Sequence, residues 1–386
     1  MRNWPTIRVA DEFDLQMGKT PARDNPAYWG GEQKWASIAD IARSGMYLSE
    51  TKEAITQEAV SESGIKAVPQ NTVVMSFKLS LGRTAITASR MYTNEAIMAF
   101  LPHDATAFDL HFLYHLFSNR NWSEGCNKAV KGVTLNKATL NAARIPKPCI
   151  SEQRVVASTL DKICDLISKC DEQLVRLDQL VKSRFVEMFG EVTSNPMGWI
   201  KERLESHIDV LAGYPFDSSQ YVEGGGINIC GGLIIMPGWI DWSQCKKWRS
   251  AREVEEYLLD DGDIVMALDR PWISTGFKVA QVHKEELPAL LIQRTARIRG
   301  VDIDQSFLLY LLKDRAFELH CTVTGSLVPH ISHKDIRSYE VIVPPLALQR
   351  EFAAFVAKVD KLAFAVRKSL ESAEKLYRQQ LSEAFA

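Results

Sequence analysis

The segment Asp24-Asn25-Pro26-Ala27-Tyr28 sets a side-chain amide and an aromatic ring on one proline turn. An Asn-Pro-Pro-Tyr loop uses that pairing to hold an amine and to stack a base flipped from its duplex, which is adenine or cytosine methyltransferase chemistry. Here alanine stands at the second proline, no apolar strand leads in, and no glycine-rich cofactor turn lies upstream, so the segment reads as a structural turn. Gly224-Gly225-Gly226 and Gly231-Gly232 lack the Lys-Ser/Thr or GxGxxG context of a phosphate cradle and fit hairpin turns better. The seven cysteines, Cys126, Cys149, Cys164, Cys170, Cys230, Cys245 and Cys321, form no CxxC pair. That argues against a zinc site and a disulfide framework, and for a reducing cytoplasm. There is no HExxH and no nucleophile elbow, and His330 and His333 are the closest functional-looking pair among scattered histidines. The residues predict no catalytic site, no metal site and no cofactor held by this chain.

The elements that must position any site show in a repeat. Residues 134–190 align without a gap on residues 330–386 at a constant offset of 196. Pro148 falls on Pro344, Gln153 on Gln349, Arg154 on Arg350, Leu166 on Leu362, Leu174 on Leu370, Leu180 on Leu376 and Phe189 on Phe385. The period is about half the chain, far longer than a solenoid unit, so it marks a duplicated domain followed by a helix. Upstream the echo is fainter. Trp4, Arg8, Asp14 and Gly18 answer to Trp199, Arg203, Asp209 and Gly213, Phe112-Leu113 to Phe307-Leu308, and Val73-Val74-Met75 to Ile264-Val265-Met266. Between these anchors the sequences diverge, and a common frame with dissimilar inserts predicts two related domains that recognise different things.

The repeated segments carry a heptad seam. From Ser151, the expected N-cap, apolar residues fall at Val156, Leu160, Ile163, Ile167, Cys170, Leu174, Leu177 and Val181, in alternating steps of four and three. Phe352, Val356, Val359, Ala363, Val366, Leu370, Ala373 and Tyr377 take the same phases in the second copy. Each helix follows a proline-closed strand exit, Ile145-Pro146-Lys147-Pro148 or Val343-Pro344-Pro345. A heptad alone suits a helical hairpin core or homodimer coiled coil with no specific task as well as it suits a spacer. The duplication favours antiparallel spacer helices, each about 60 Å long at 1.5 Å per residue, joined through Leu160, Ile163, Ile167, Leu174, Leu177, Val356, Val359, Val366, Leu370 and Tyr377.

The remaining sequence reads as two mixed domains. Strands are expected at Thr72 to Phe77, Ile227 to Ile229, Leu233 to Met236, Ile264 to Leu268 and Val341 to Val343, between Gly, Pro and Asp punctuation. One amphipathic helix per domain is expected, at Asp109 to Phe117 and at Asp304 to Lys313. The fold class is therefore α+β, with two related mixed α/β domains joined by two long antiparallel coiled-coil helices under an internal pseudo-two-fold repeat of about 196 residues. The expected boundaries are 1–148 for the first domain, 149–190 for the first helix, 191–346 for the second domain with a linker at 191–198, and 347–386 for the second helix.

Composition sets outer bounds. At 46% hydrophobic residues the chain is long enough for real cores, and no apolar run approaches a membrane span. A net charge of −2 gives no overall basic surplus for phosphate neutralisation. Residues 1–150 carry 17 Lys and Arg against 14 Asp and Glu, whereas residues 191–346 carry 16 against 22, so any nucleic-acid contact must be local.

Four motifs in order give the chain a resemblance. Gly18-Lys19-Thr20-Pro21 with Tyr28-Trp29-Gly30-Gly31, Trp35 and Asp40 looks like the opening of a target recognition domain in specificity subunits of Type I restriction-modification systems. Gly213-Tyr214-Pro215-Phe216-Asp217-Ser218 resembles the family's alternative opening. Pro148 to Gln153 and Pro344 to Gln349 are similar to its strand-to-helix exits, and Thr324-Gly325-Ser326-Leu327-Val328-Pro329-His330-Ile331 resembles the loop before the exit. The first domain departs from this pattern with Lys131-Gly132-Val133-Thr134-Leu135.

The resemblance implies a host-defence subunit that reads a bipartite target on double-stranded DNA, two half-sites across a fixed unread gap. It implies two modification (methyltransferase) subunits bringing S-adenosylmethionine and restriction/translocase subunits using ATP and Mg, in the cytoplasm. Base reading then falls to Arg, Lys, Asn and Gln, whose paired donors and acceptors match base edges. The DNA-binding candidates are Lys78, Arg83, Arg90, Lys128 and Lys131 in the first domain and Lys246, Lys247, Arg249, Arg270, Arg294 and His330 in the second. Two other classes stay open: a two-headed scaffold that binds no DNA, and a degenerate DNA adenine methyltransferase using Asn25 to Tyr28.

Overall fold

A computed structural model describes residues 4–78, 80–122, 128, 129, 132, 133, 135–324 and 329–385, with backbone alone at 128, 129, 132 and 133. The chain forms two compact units, Met1–Asp171 with Lys368–Ala386, and Glu172–Arg367.

In the first unit a five-stranded sheet runs in the order Phe13–Met17, Ile97–Pro102, Val73–Ser76, Thr84–Thr87, Tyr47–Leu48. The middle strand is buried along its whole length. Successive side chains point to opposite faces of a strand. Val73 and Met75 therefore join the core with Phe100, Phe112 and Phe117, while Val74 joins Ile97, Ala85 and Leu48 on the other side. The helix Leu110–Asn119 closes the first face, its N-terminus capped by Asp109, which accepts from the amides of His111 and Phe112.

In the second unit the sheet order is Ile208–Ala212, Thr295–Gly300, Ile264–Ala267, Val279–Gln281, which repeats the first four positions of the other sheet. The helix Gln305–Lys313 carries the equivalent cap, Asp304 accepting from Ser306 and Phe307. Each unit also has a short antiparallel pair, Thr6–Arg8 with Arg144–Pro146 and Lys201–Arg203 with Glu340–Ile342. The divergent inserts share more than their sequences show. Both build a three-stranded sheet with one antiparallel and one parallel pairing: Glu53–Ile55, Trp29–Ala36, Tyr92–Thr93 in one, and Lys246–Trp248, Ile227–Cys230, Ala289–Leu291 in the other.

Four expectations need correction. The strand expected from Leu233 is shortened to Ile235–Met236, because Leu233 sits in a turn with its side chain exposed. Gly231-Gly232 is not a hairpin turn, since the strand before it pairs with Lys246–Trp248 and Ala289–Leu291 instead of the strand that follows. Each unit holds further short helices, such as Ile38–Arg43, Gln57–Ser63 and His333–Ser338. Ser151 is not the N-cap of the first long helix. The Gln153 amide already donates to the Cys149 carbonyl, and Glu152 reaches back to the Cys149 amide at 3.3 Å, which places Cys149 at the cap.

The long helices are Ile150–Phe189 and Leu346–Phe385, 40 residues each. In the first unit they pack antiparallel, with Val156 and Leu160 beside Gln380 and Ala384, and Cys164 near Tyr377. In the second unit Phe185 and Phe189 pack edge-on against Phe352 at 5.5 and 5.6 Å, Arg184 pairs with Glu351 at 2.9 Å, and Leu174 and Leu177 share a cleft with Val359 and Ala363. The same antiparallel sense follows. Leu160, Ile163, Val356 and Val359 are buried, while Ile167, Leu174, Leu177, Val366, Leu370 and Tyr377 are half-buried. The repeat-matched leucines Leu166, Leu180, Leu362 and Leu376 instead lie exposed.

One repeated residue ties each domain to its helix. Gln153, fully buried, accepts from the Asp109 amide at 2.8 Å and donates to the Ala107 and Pro148 carbonyls. Gln349 accepts from the Asp304 amide at 2.8 Å and donates to the Pro344 carbonyl. A buried amide is tolerated only when its donors and acceptors are satisfied, and here the partners are the cap of the domain helix and the strand exit. Glutamine at both repeat positions therefore fixes the same joint twice.

Candidate nucleic-acid interface

Three sequence candidates of the second unit converge where Ile264–Ala267 ends. Arg294 lies on the turn between Ala289–Leu291 and Thr295–Gly300, and its carbonyl accepts from the Leu268 amide at 3.0 Å. On the other side the Arg270 amide donates to Pro329 and the Ile331 amide to Leu268, which seats His330 opposite Asp269. Asp269 takes Arg294 Nη1 at 3.0 and 3.3 Å. His330 Nε2 lies 2.6 Å from the Thr324 hydroxyl. Arg270 and Arg294 both hold left-handed backbone, φ 44° and 65°, a conformation that non-glycine residues adopt at a cost and that gathers at functional loops. Beneath them the ammonium of the buried Lys278 donates to the Gly232 carbonyl, and burial together with Arg270 holds its pKa below the ordinary lysine value.

Arg249 belongs to an adjoining cleft of about 400 Å³ lined by Tyr214, Asp217, Gln220, Trp248, Arg249, Arg252 and Glu253. Tyr214 joins the two places, because its carbonyl accepts from the Gln293 amide and its ring packs on Phe216, which packs on Trp248. Arg249, Arg252 and Arg270 make no ion pair among the described residues, whereas Arg297 and Arg299 are neutralised by Asp209, Asp260 and Asp263. The acid excess of this domain is thus partly spent on structural pairs, and the edge itself mixes Arg249, Arg252, Arg270 and Arg294 with Asp217, Glu253 and Asp269. Lys246 and Lys247 lie on the outer strand of the three-stranded sheet, which leads into Trp248 and Arg249 of the cleft.

The loop bearing His330 is closed by a buried carboxylate. Asp335 accepts from the amide and hydroxyl of Ser332 at 2.7 and 2.6 Å and from the Thr322 amide at 3.0 Å. Burial opposes its charge, but these bonds win and hold its carboxyl below the usual carboxylate range. A folded-state pKa below the unfolded value means stability that is present above about pH 4 and is lost as pH falls through the depressed pKa. Asp335→Asn is expected to lower unfolding free energy near pH 7 and to lose that deficit as pH falls through the depressed pKa, as denaturant titrations across the acid range would show.

In the first unit Lys78 and Arg83 share the hairpin between Val73–Ser76 and Thr84–Thr87, closed by Ser76, whose side chain accepts from the Arg83 amide. Lys78 lies near Glu95, whose carboxyl is held low first by the Thr20 hydroxyl, against burial, and then by Lys78 and Arg23. Arg90 is bonded to the Tyr92 hydroxyl at 3.1 Å, and Tyr92 pairs in the sheet with Trp35. Lys131 and the side chain of Lys128 lie outside the described residues, as do Gly325 to Val328 of the second-domain loop. Sequence reasoning missed Arg23, whose guanidinium stacks on Trp29 and Trp35 at 3.9 and 4.8 Å and pairs with Glu53. The interleaved Trp29 and Trp35 were its available signal.

Asn25 to Tyr28 is a structural turn, as expected. Asn25 accepts from the Ala27 amide, capping the short helix Pro26–Tyr28, and the Tyr28 hydroxyl donates to Glu62 at 2.7 Å. His333 opens the helix His333–Ser338 and does not join His330 in a site.

The two units share one sheet frame and differ in the polar residues at its edge. Residues 1–175 match the model of the Type I restriction modification DNA specificity domain. The chain is 24% identical over 378 residues to the Type I restriction enzyme MjaIX specificity subunit of Methanocaldococcus jannaschii, covering 92% of this chain and 86% of that protein. It is 34% identical over 173 residues to the EcoAI specificity subunit of Escherichia coli, covering 43% of this chain and 28% of that one. The crystal structure of the Type I system S subunit from M. genitalium shares its fold at a TM-score of 0.57 and 15% identity, over 100% of this chain and 96% of that one. Residues 1–175 thus match the family's DNA specificity domain, and the chain is similar along most of its length to Type I restriction enzyme specificity subunits. Among the described residues no helix is long and apolar enough to cross a membrane.

Proposed function

We propose that each unit reads one half-site of a bipartite duplex target and that the two long helices set the unread gap. The observation that carries this is a single sheet topology used twice with different polar edges: Asp269, Arg270, Arg294 and His330 in one unit, Lys78, Arg83 and Arg23 in the other. Two modification subunits carrying S-adenosylmethionine would methylate adenine in the half-sites, and restriction subunits using ATP and Mg would translocate and cut, all in the cytoplasm. The exposed leucines support a pair of identical partners. Leu166 and Leu376 in the first unit are the repeat equivalents of Leu362 and Leu180 in the second, so each unit offers the same apolar residues.

Both helices run without a break through the division between the units, at 171/172 and 367/368. A four-residue insertion in one helix would leave its antiparallel partner out of step, so the test needs matched insertions after Asp171 and Arg367. Each adds about 6 Å and close to one turn, against about 3.4 Å per base pair. In a complex with the modification subunits, the methylated site is expected to keep both half-sites and to gain one or two base pairs of gap. A new half-site with the old gap would contradict the reading.

A further inference from the structure

We propose that Arg294 reads a guanine in the half-site of the second unit and that Asp269 is the positioning residue that aims it. This rests on reading that unit as a half-site reader.

The turn that carries Arg294 is fixed on both sides. The Leu268 amide binds the Arg294 carbonyl, the Gln293 amide binds the Tyr214 carbonyl, and the Thr295 hydroxyl binds the Ile292 carbonyl. These bonds hold Arg294 at φ 65°, so a strained residue is presented by a rigid frame. Its side chain is 67% exposed, yet one end of the guanidinium is held by Asp269, itself 29% exposed and seated against His330. The Nε and Nη2 edge makes no hydrogen bond among the described residues. An arginine tethered through one nitrogen offers its remaining donors in a fixed plane, which matches the adjacent O6 and N7 acceptors of guanine in the major groove.

Asp269 also decides between a base and a phosphate. A carboxylate 3.0 Å from the guanidinium cancels much of its charge and repels a phosphate brought to the same place, whereas a neutral base edge meets no such repulsion. Arg270, exposed and without an ion pair among the described residues, is better suited to the backbone contact.

The test uses the complex of the full chain with its modification subunits, a library of randomised duplexes, and sequencing of the methylated sites. The parent must return a two-part motif. Failure there would remove the half-site reading itself, whatever Arg294 does. Given that motif, Arg294→Ala and Arg294→Lys are expected to relax one guanine by roughly five- to 150-fold, with the other half-site unchanged. Arg294→Gln is expected to move that letter toward adenine, whose N6 and N7 suit an amide. Asp269→Asn should give a weaker relaxation at the same letter, and Asp269→Glu should restore it. A uniform loss over all sequences with a shallower salt dependence would make Arg294 a phosphate contact and overturn the proposal. So would an unchanged motif in Arg294→Lys and Arg294→Gln, which keep a polar side chain if the alanine variant fails to fold.

Discussion

Replacing Phe352 by alanine is expected to lower the unfolding free energy of the second unit by about 3–5 kcal/mol, the range for a large aromatic removed from a packed core. Phe352 is fully buried, and its ring meets Phe185, Phe189 and Tyr310 at centroid distances of 5.5, 5.6 and 5.3 Å. Phe185 and Phe189 come from the first long helix and Tyr310 from the domain helix, so one ring holds three elements together. The cavity left by alanine cannot close without moving all three. Leu362→Ala, on the exposed side of the same helix, should stay within about 0.5 kcal/mol of the parent. Denaturant unfolding of both variants measures this, and a Phe352→Ala loss below 1 kcal/mol would show that the helix does not depend on that contact.

The contrast between Phe352 and Leu362 also shows what the sequence could reveal. The heptad seam named the residues that are buried or half-buried along both helices, because periodicity reports which face is covered. The repeat named Leu166, Leu180, Leu362 and Leu376 as well, but these point outward, since recurrence at an offset does not distinguish a core position from a contact surface. The sheet frame was legible where apolar runs are buried on both faces, as at Val73 to Met75 and Ile264 to Met266. The common topology of the two inserts was not. Strand pairing is a backbone property, and Trp29–Ala36 and Ile227–Cys230 occupy the same place with unrelated side chains.

The candidate interface was legible in part for a similar reason. Residue type singled out Arg270, Arg294 and His330, and the fold brings them to one edge. Lys246, Lys247 and Arg90 were chosen by the same rule, and the fold puts the two lysines on an outer strand and Arg90 against Tyr92, which charge alone does not reveal. Asp269 and Arg23 escaped notice since their partners, Arg294 and Glu53, are 25 and 30 residues away and meet only through the sheet.

The central claim is that reading is divided between the two heads while the helices hold the gap. The duplicated frame makes each head exchangeable at a joint already built twice, where Gln153 and Gln349 bond to the caps of their domain helices. The most direct measurement is therefore sequencing of methylated sites from a complex whose residues 1–148 are replaced by the equivalent domain of another specificity subunit. The expected result is a target with one half-site rewritten, the other half-site intact and the gap unchanged, a shift large enough that few parental sites remain modified. Alteration of both half-sites, or of the gap, by exchange of one head would contradict the account.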